Sequence, residues 1–423
     1  MKHLKSLAVL LLTLSLGGCV RMTIAWAPDA PRGQAATPSV LQPLGGGDEI
    51  TSVAEWEAER STVAEALQKD VYGMLPAERD VSVRAHRVID TAALNGQAIY
   101  EEYDLVFTPI FSGEVEPIGR GATLAVLRPA GSAANAPVIM TETFCPRWAA
   151  LPHPQATKPA GTEDAGEMPG FVSYLFGRYI CTPPLETIIA RGYALAVIAS
   201  TDVVPDRGEA GLAALGQLAS GFDDQDTRWG AIAAWGWVFS GMADVLLAED
   251  HFSDSPLIAY GHSRYGKAAL VAGAFDERID AVIAHQSGTG GASLNRRKVG
   301  ESVKAITKSY PHWFAANYAR YAGREDAMAV DQHHLLALIA PRPVLLGNAR
   351  RDVWSDPNGA FKAAQGADPV YELYGRQGLA TARLDDFDPE ADLSFWLRPG
   401  THGVVEEDWP AFLQFLDAHV APR

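Results

Sequence analysis

Through the second half of the chain, short runs that are apolar at every position alternate with helical patterns. "LETIIARGY" reads as a helix and "ALAVIAS" as an apolar strand; "WGAIAAWGWVFSGMADVLLAE" is helical and "LIAYG" a strand. "GKAALVAGAF" is helical, "DAVIAHQ", "PRPVLLGNA" and "DLSFWLRPG" are strands, and "EDWPAFLQFLDAHV" is a closing amphipathic helix. A strand with no polar face is buried on both sides, and strands alternating with helices are joined by crossovers. The pattern therefore predicts an α/β fold with a mostly parallel central sheet covered by helices on both faces. Upstream, residues 81–107 alternate as strands do, and "ATLAVLRP" and "APVIMTETF" extend the same sheet. "SVAEWEAERSTVAEALQKDVYG" is an amphipathic helix stopped at Gly73. Residues 51–423 read as a single domain, since the early strands join the later ones most simply in one sheet.

The first residues predict a compartment. "MKHLKSLAVLLLTLSLGGCV" has two lysines, an apolar stretch and then small residues, the layout of an export signal over residues 1–18. Its ending, Leu16-Gly17-Gly18-Cys19, resembles a lipobox with Cys19 as the lipidated residue; an ordinary cleaved signal is the competing reading. Residues 19–50, rich in Pro, Gly and Ala, read as a tether. The expected location is the periplasm or outer membrane of a bacterium, held there by the lipid alone, because no later apolar run is long enough to span a bilayer. Cys145 and Cys181 are open to two readings, a surface disulfide or two buried thiols. With 51 acidic against 35 basic residues and a net charge of −16, the chain is a poor ligand for nucleic acid or an anionic membrane.

Two stretches fit neither period, "CPRWAALPHPQATKPAGTEDAGEMPGFVSYLFGRYIC" and residues 287–332. Each leaves the end of a strand, where ligand sites of open α/β sheets lie, so both are expected to wall a cleft.

"LIAYGHSRYGKAAL" carries the chemistry. A strand, Gly-x-Ser-x-x-Gly and a helix approximate the nucleophile elbow of α/β-hydrolases, with the second glycine, Gly266, one residue late. Such a turn lifts the Ser263 hydroxyl clear at a helix N-terminus, where developing negative charge is favoured. A serine needs a base, which in this fold follows the last strand; His402 in "WLRPGTHG" stands there. His262 and His285 read as wall or core residues, and His333 and His334 as structural. The acid orienting the base is expected at a strand end: one offers Gln286, which carries no charge, and the next offers Asp352, with Asp356 as a turn or cap residue. Trp229, Trp235 and Trp237 fall on a helical pattern and read as core, whereas Trp313 and Phe314 are open between cleft and core. No metal or organic cofactor is needed for this chemistry.

With "EWEAERSTVAEALQKDVYG", "GHSRYGKAAL", "QSGTGGASLNRRKVGES", "PHWFAANYARY", "DQHHLLALIAPRPVLL", "DVWSDPNGAF" and "RPGTHG" on the page, the chain resembles the glucuronoyl esterase family over most of its length beyond the signal. The resemblance implies a serine esterase acting on esters of 4-O-methylglucuronic acid, as in the links between glucuronoxylan and lignin. It implies Ser263 as nucleophile, His402 as base and Arg264 as a stabiliser of the oxyanion. Lys267 and Glu301 match residues that bind the sugar hydroxyls, Trp354 matches a tryptophan beside the sugar ring, and Gln286 joins them at the substrate site. Many members carry a glutamate acid where this chain has Gln286, others an aspartate where it has Asp352; this chain keeps the second arrangement. A glutamate restored at 286 is therefore expected to place a second carboxylate near His402. A serine esterase for another carbohydrate or aromatic ester, and a non-catalytic, lipid-anchored polysaccharide-binding protein, are the competing readings.

Overall fold

A computed structural model describes residues 37–111, 116–131, 135–158, 175–296 and 299–421. The expected signal, Cys19 and the first part of the tether lie outside the described residues. The remainder of the tether does not stand apart as expected: Val40 and Ile50 are buried in the core, and Pro38 O is 3.0 Å from Nε2 of His333. Leu41 and Leu44 pack against the same core, so four apolar side chains dock the segment once a groove is available.

Nine strands form one sheet in the order β1-β2-β3-β5-β4-β6-β7-β8-β9. They are β1 (Glu78–Ala92), β2 (Ala98–Ile110), β3 (Arg120–Pro129), β4 (Val138–Glu142), β5 (Ala194–Ile198), β6 (Leu257–His262), β7 (Ala281–His285), β8 (Val344–Ala349) and β9 (Leu393–Arg398). The first three strands pair antiparallel, as do β3 and β5; from β5 and β4 through to β9 all pairings are parallel. β4 to β8 are buried at every position, which is why they carry no polar alternation. β1, at the edge, alternates between half-buried and exposed.

Six helices matter to the argument: α1 (Val53–Leu67), α2 (Ala231–Leu247), α3 (Arg264–Phe275), α4 (Gln332–Ala337), α5 (Pro357–Leu373) and α6 (Asp408–His419). One face of the sheet buries Trp235, Val271, Leu336 and Val370, and the other Tyr260, Trp409, Phe412 and Leu416. This is an α/β-hydrolase fold. α2 and α3 approach closely because Gly236 has no side chain; a Cβ there would lie 2.8 Å from Val271 Cγ1 and 3.0 Å from Ala268 O. The helix from Ser52, whose hydroxyl caps it, runs through α1 into a wider turn at Gln68–Tyr72 and stops at Gly73 (φ 85°). A Cβ on Gly73 would press to 2.5 Å from Arg228 O, so the stop is set by backbone conformation and by contact alike.

Trp229, Trp235 and Trp237 are core residues, as their spacing implies. His333 and His334 begin α4, where the His334 ring accepts from the backbone N–H of Asp331. Asp356 is the N-cap of α5 and accepts from Gly359 N at 2.9 Å. Cys145 and Cys181 form a disulfide with Cα atoms 5.5 Å apart.

Candidate active site

Ser263 sits between β6 and α3 with φ 56° and ψ −121°, a conformation costly for a side chain with a Cβ. Two features hold it there. Its N–H donates to His285 O at the end of β7 (2.8 Å), and Gly261 and Gly266 leave room for the backbone to fold back on itself. A Cβ on Gly261 would collide with Tyr265 O, and one on Gly266 would reach 3.0 Å from Gly261 O. The late second glycine therefore still serves as the small residue the turn needs.

A cleft of about 370 Å³ opens at the carboxyl ends of β6, β7 and β8. Its walls include Ser263, Arg264, Lys267, Gln286, Glu301, Asp352, Trp354 and His402, residues drawn from five separate parts of the sequence. Both aperiodic stretches contribute: Leu175 and Phe176 from the first, and Tyr310 and Trp313 from the second. Trp313 thus belongs to the cleft, whereas Phe314 packs beneath it, buried against Gly290.

His402 Nδ1 lies 2.7 Å from Asp352 Oδ2, and Ser355 Oγ is 3.4 Å from the same nitrogen. Burial alone would raise the Asp352 carboxyl, but the His402 charge, its hydrogen bond and the Ser355 contacts outweigh it and hold the group below the usual carboxylate range. Asp352 is therefore the ionised partner. Beneath His402, the His262 ring lies 4.6 Å away between centroids, and His262 Nδ1 is 3.2 Å from His285 Nδ1. Burial drives both of these rings well below the ordinary imidazole value, so His262 packs against His402 as a neutral ring, with neutral His285 behind it.

Gln286, at the end of β7, is buried, and its amide meets the backbone of the histidine loop. Oε1 accepts from Gly403 N (2.8 Å) and Nε2 donates to Thr401 O (3.4 Å). Gln286 lines the cleft, as expected of a residue at the substrate site, and its amide is in addition bonded to the protein's own backbone.

Arg264 opens α3 and its guanidinium is ion-paired with Asp206. The rings of Phe144 and Trp313 lie on either contact at 5.3 Å from its Cζ. Asp206 also accepts from His312 Nε2 (2.9 Å) and Trp313 Nε1 (2.8 Å). Burial, then the nearby Arg264, pushes the His312 ring down to about 4, so it is a neutral donor to Asp206. Lys267 is buried, with Nζ donating to Ser287 O (2.5 Å) and Thr289 O (2.6 Å), and it lies 5.9 Å from the Trp313 ring. Glu301 is buried beside it in the cleft wall, its N–H donating to Trp354 O, so it is no surface carboxylate. Trp354 is 50% exposed at the mouth. Asp206 lies in none of the segments that carry the resemblance, and His312 and Ser355, although inside two of them, are not singled out by the sequence, because only the fold brings them to the site. Among the described residues no group of His, Cys, Asp and Glu could hold a metal ion.

A strained serine, a histidine bonded to a buried carboxylate and a guanidinium in one cleft of an α/β-hydrolase fold define a carboxylic ester hydrolase. A family profile described as "Glucuronyl esterase, fungi" matches residues 189–375. The chain is 32% identical to "Carbohydrate esterase MZ0003" from an unknown prokaryotic organism, with 93% of this chain and 95% of that protein covered. The glucuronoyl esterase from Solibacter usitatus superposes with a TM-score of 0.75 at 32% identity, over 92% of this chain and 99% of that one. "4-O-methyl-glucuronoyl methylesterase 1" of Wolfiporia cocos is 25% identical over 82% of this chain and 76% of its own length. The chain belongs to the glucuronoyl esterase family.

Proposed function

We propose that this protein hydrolyses esters of (4-O-methyl-)glucuronic acid, as in the links between glucuronoxylan and lignin, through a Ser263–His402–Asp352 triad with Arg264 beside the oxyanion. The observation that carries the proposal is the 2.7 Å contact between Asp352 and His402 in the cleft that holds Ser263. With Nδ1 engaged by Asp352, Nε2 of His402 is left to take the Ser263 proton as Oγ attacks the ester carbonyl. The tetrahedral oxyanion forms at the start of α3, where the Arg264 N–H and guanidinium supply positive charge. Collapse expels the alcohol, which takes the proton from His402, and leaves an acyl-enzyme. Water, activated by the same imidazole, then releases the glucuronate and restores Ser263.

The sugar side rests on Lys267, Glu301 and Trp354. An ammonium, a carboxylate and an indole in one wall supply donors, acceptors and an apolar face, the set a pyranose needs. Leu175 and Phe176, exposed at the mouth, offer the alcohol an apolar surface. The test is turnover of methyl and benzyl glucuronate beside acetylated sugars and aromatic acid esters. Faster hydrolysis of the latter would assign the cleft to another ester, and no turnover of any would make the protein a non-catalytic polysaccharide binder.

The export reading belongs here too. Residues 1–18 act as the signal and Cys19 carries the lipid, placing the enzyme at a bacterial envelope membrane. Fatty-acid labelling that is lost in Cys19→Ala supports this; unchanged labelling, or none in the wild type, overturns it.

A further inference from the structure

We infer that Gln286 is a positioning residue for His402, and that it must be a neutral amide because the histidine loop presents one donor and one acceptor to it. The inference rests on the reading of His402 as the base.

The loop from β9 to α6 carries His402 between two glycines, Gly400 (φ 101°) and Gly403 (φ 151°). The two glycines leave the stretch around His402 without side-chain packing on either side, so its shape there depends on where its backbone groups bond, while Val404 beyond them is buried in the core. Gly403 N–H goes to Gln286 Oε1 (2.8 Å), and Thr401 O receives Gln286 Nε2 (3.4 Å). One amide thus takes hold of the backbone on both sides of His402. The loop's polarity also fixes the amide's orientation: a peptide N–H requires the oxygen, and a peptide C=O requires the nitrogen.

Arg398 grips the same segment from the other side. It donates to Pro399 O (2.9 Å), Thr401 O (3.2 Å) and Gly403 O (2.8 Å), while Asp408 holds its Nε at 2.9 and 3.0 Å. Asp408 is itself bound by Val405 N (2.8 Å) and Trp396 Nε1 (3.3 Å). Gly400 O is taken by Arg351 N (2.9 Å), the residue before Asp352, and Val404 N by Phe176 O (2.7 Å). Gln286 supplies the acceptor for the N–H immediately after His402. It anchors the loop to β7, whose last carbonyl, His285 O, also anchors the Ser263 turn. Nucleophile and base are therefore registered to one strand end.

A glutamate cannot make this pair of contacts. Ionised, it accepts only, so one oxygen would face the Thr401 carbonyl. It would also compete with Asp408 for Arg398. The charged and titratable groups on the surrounding elements include Asp352, His402, His262, His285, Arg398, Asp408 and Lys267. The amide atoms meet Thr401 and Gly403 rather than the imidazole, so with Asp352 already on His402 a carboxylate at 286 is expected to disturb the loop more than it serves as a second acid. The sequence predicts the opposite, a second carboxylate near His402, and the double variant decides between the two.

The test compares Gln286→Met, Gln286→Glu, Asp352→Asn, His402→Ala and the double variant Asp352→Asn/Gln286→Glu. Substrates are methyl glucuronate and p-nitrophenyl acetate, and hydrogen exchange is followed over residues 399–405. Both Gln286 variants should lose between about tenfold and a hundredfold in kcat on both esters, the scale for losing the partner that orients a reacting group. KM should stay within about twofold and the thermal midpoint near the wild-type value, which general destabilisation would lower. Exchange across the loop should quicken in Gln286→Met, and the double variant should be no faster than Asp352→Asn. Wild-type kcat in both Gln286 variants, or a tenfold recovery in the double variant, overturns the clamp. Wild-type rates in His402→Ala overturn the base assignment on which it rests, so the two failures are distinguishable.

Discussion

Asp352 Oδ2 lies 2.7 Å from His402 Nδ1, while the residue ending the next strand, Gln286, turns its amide to the backbone on either side of that histidine. One strand end orients the ring by charge, and the other holds the loop that carries it. Asp352→Asn removes the charge and allows the wrong imidazole tautomer. It should lower kcat by about three to four orders of magnitude, as loss of a triad acid does, with the fold intact. The check is steady-state hydrolysis of methyl glucuronate beside a thermal melt; an activity loss below about tenfold would place the acid elsewhere.

Arg264 meets two aromatic rings and Asp206, so it is held in place before any substrate arrives. Arg264→Ala should cost about a hundredfold to a thousandfold in kcat with little change in KM, since a guanidinium already held by Asp206 gains a further anionic partner only when the oxyanion forms. Asp206→Asn should reproduce a smaller part of the same kcat loss, because it frees the guanidinium without removing it. A rise in KM alone in either variant would make Arg264 a ground-state binding residue.

Trp354→Ala and Glu301→Ala should act on the sugar. KM for glucuronate esters should rise about tenfold, the scale of one or two lost contacts of roughly 1–1.5 kcal/mol, while p-nitrophenyl acetate turnover stays near wild type. Equal losses on both substrates would show that these residues hold the fold.

Glu142 ends β4 and is buried, with neither carboxyl oxygen hydrogen-bonded among the described residues. Burial drives its carboxyl well above the usual range, and the neighbouring Ser200 hydroxyl offsets little of this. Because the folded value is raised above the unfolded one, the native state holds a proton that the unfolded chain releases. That contribution is complete below the unfolded value near 4.3 and is lost as pH rises toward the folded value, at up to about 1.4 kcal/mol per pH unit. Glu142→Gln cannot ionise. Its stability relative to wild type should therefore grow as pH rises from about 5 to 8, read as the difference in denaturant midpoints at each pH. A difference that stays constant would mean that Glu142 is ionised in the folded protein.

The parallel strands were legible because burial on both faces is written directly into the sequence as unbroken apolar runs, and Ser263 because its strand, glycines and helix are contiguous. His402 and Asp352 followed from their positions after particular strands. α5 was not expected: "PNGAFKAAQGADPVYEL" contains Gly359, Gly366 and Pro369, each a weak helix signal, and tertiary packing of Phe361, Ala364 and Val370 overrides them. The docking of residues 37–50 was equally hidden, because Val40, Leu41, Leu44 and Ile50 in a Pro- and Gly-rich stretch make no period.

What the sequence by itself determined is what neighbouring residues decide together: the alternation of strand and helix, the turn at Ser263 and the set of chemistries available to a serine, a histidine and an aspartate. Tertiary structure decided which side-chain atoms meet across long separations. Asp206 reaches Arg264, His312 and Trp313 only because three loops converge at one end of the sheet. The amide of Gln286 meets Thr401 and Gly403 only because β7 ends beside the histidine loop. A hydrogen bond is set by ångström distances and by which atom donates, and neither is encoded in spacing along the chain.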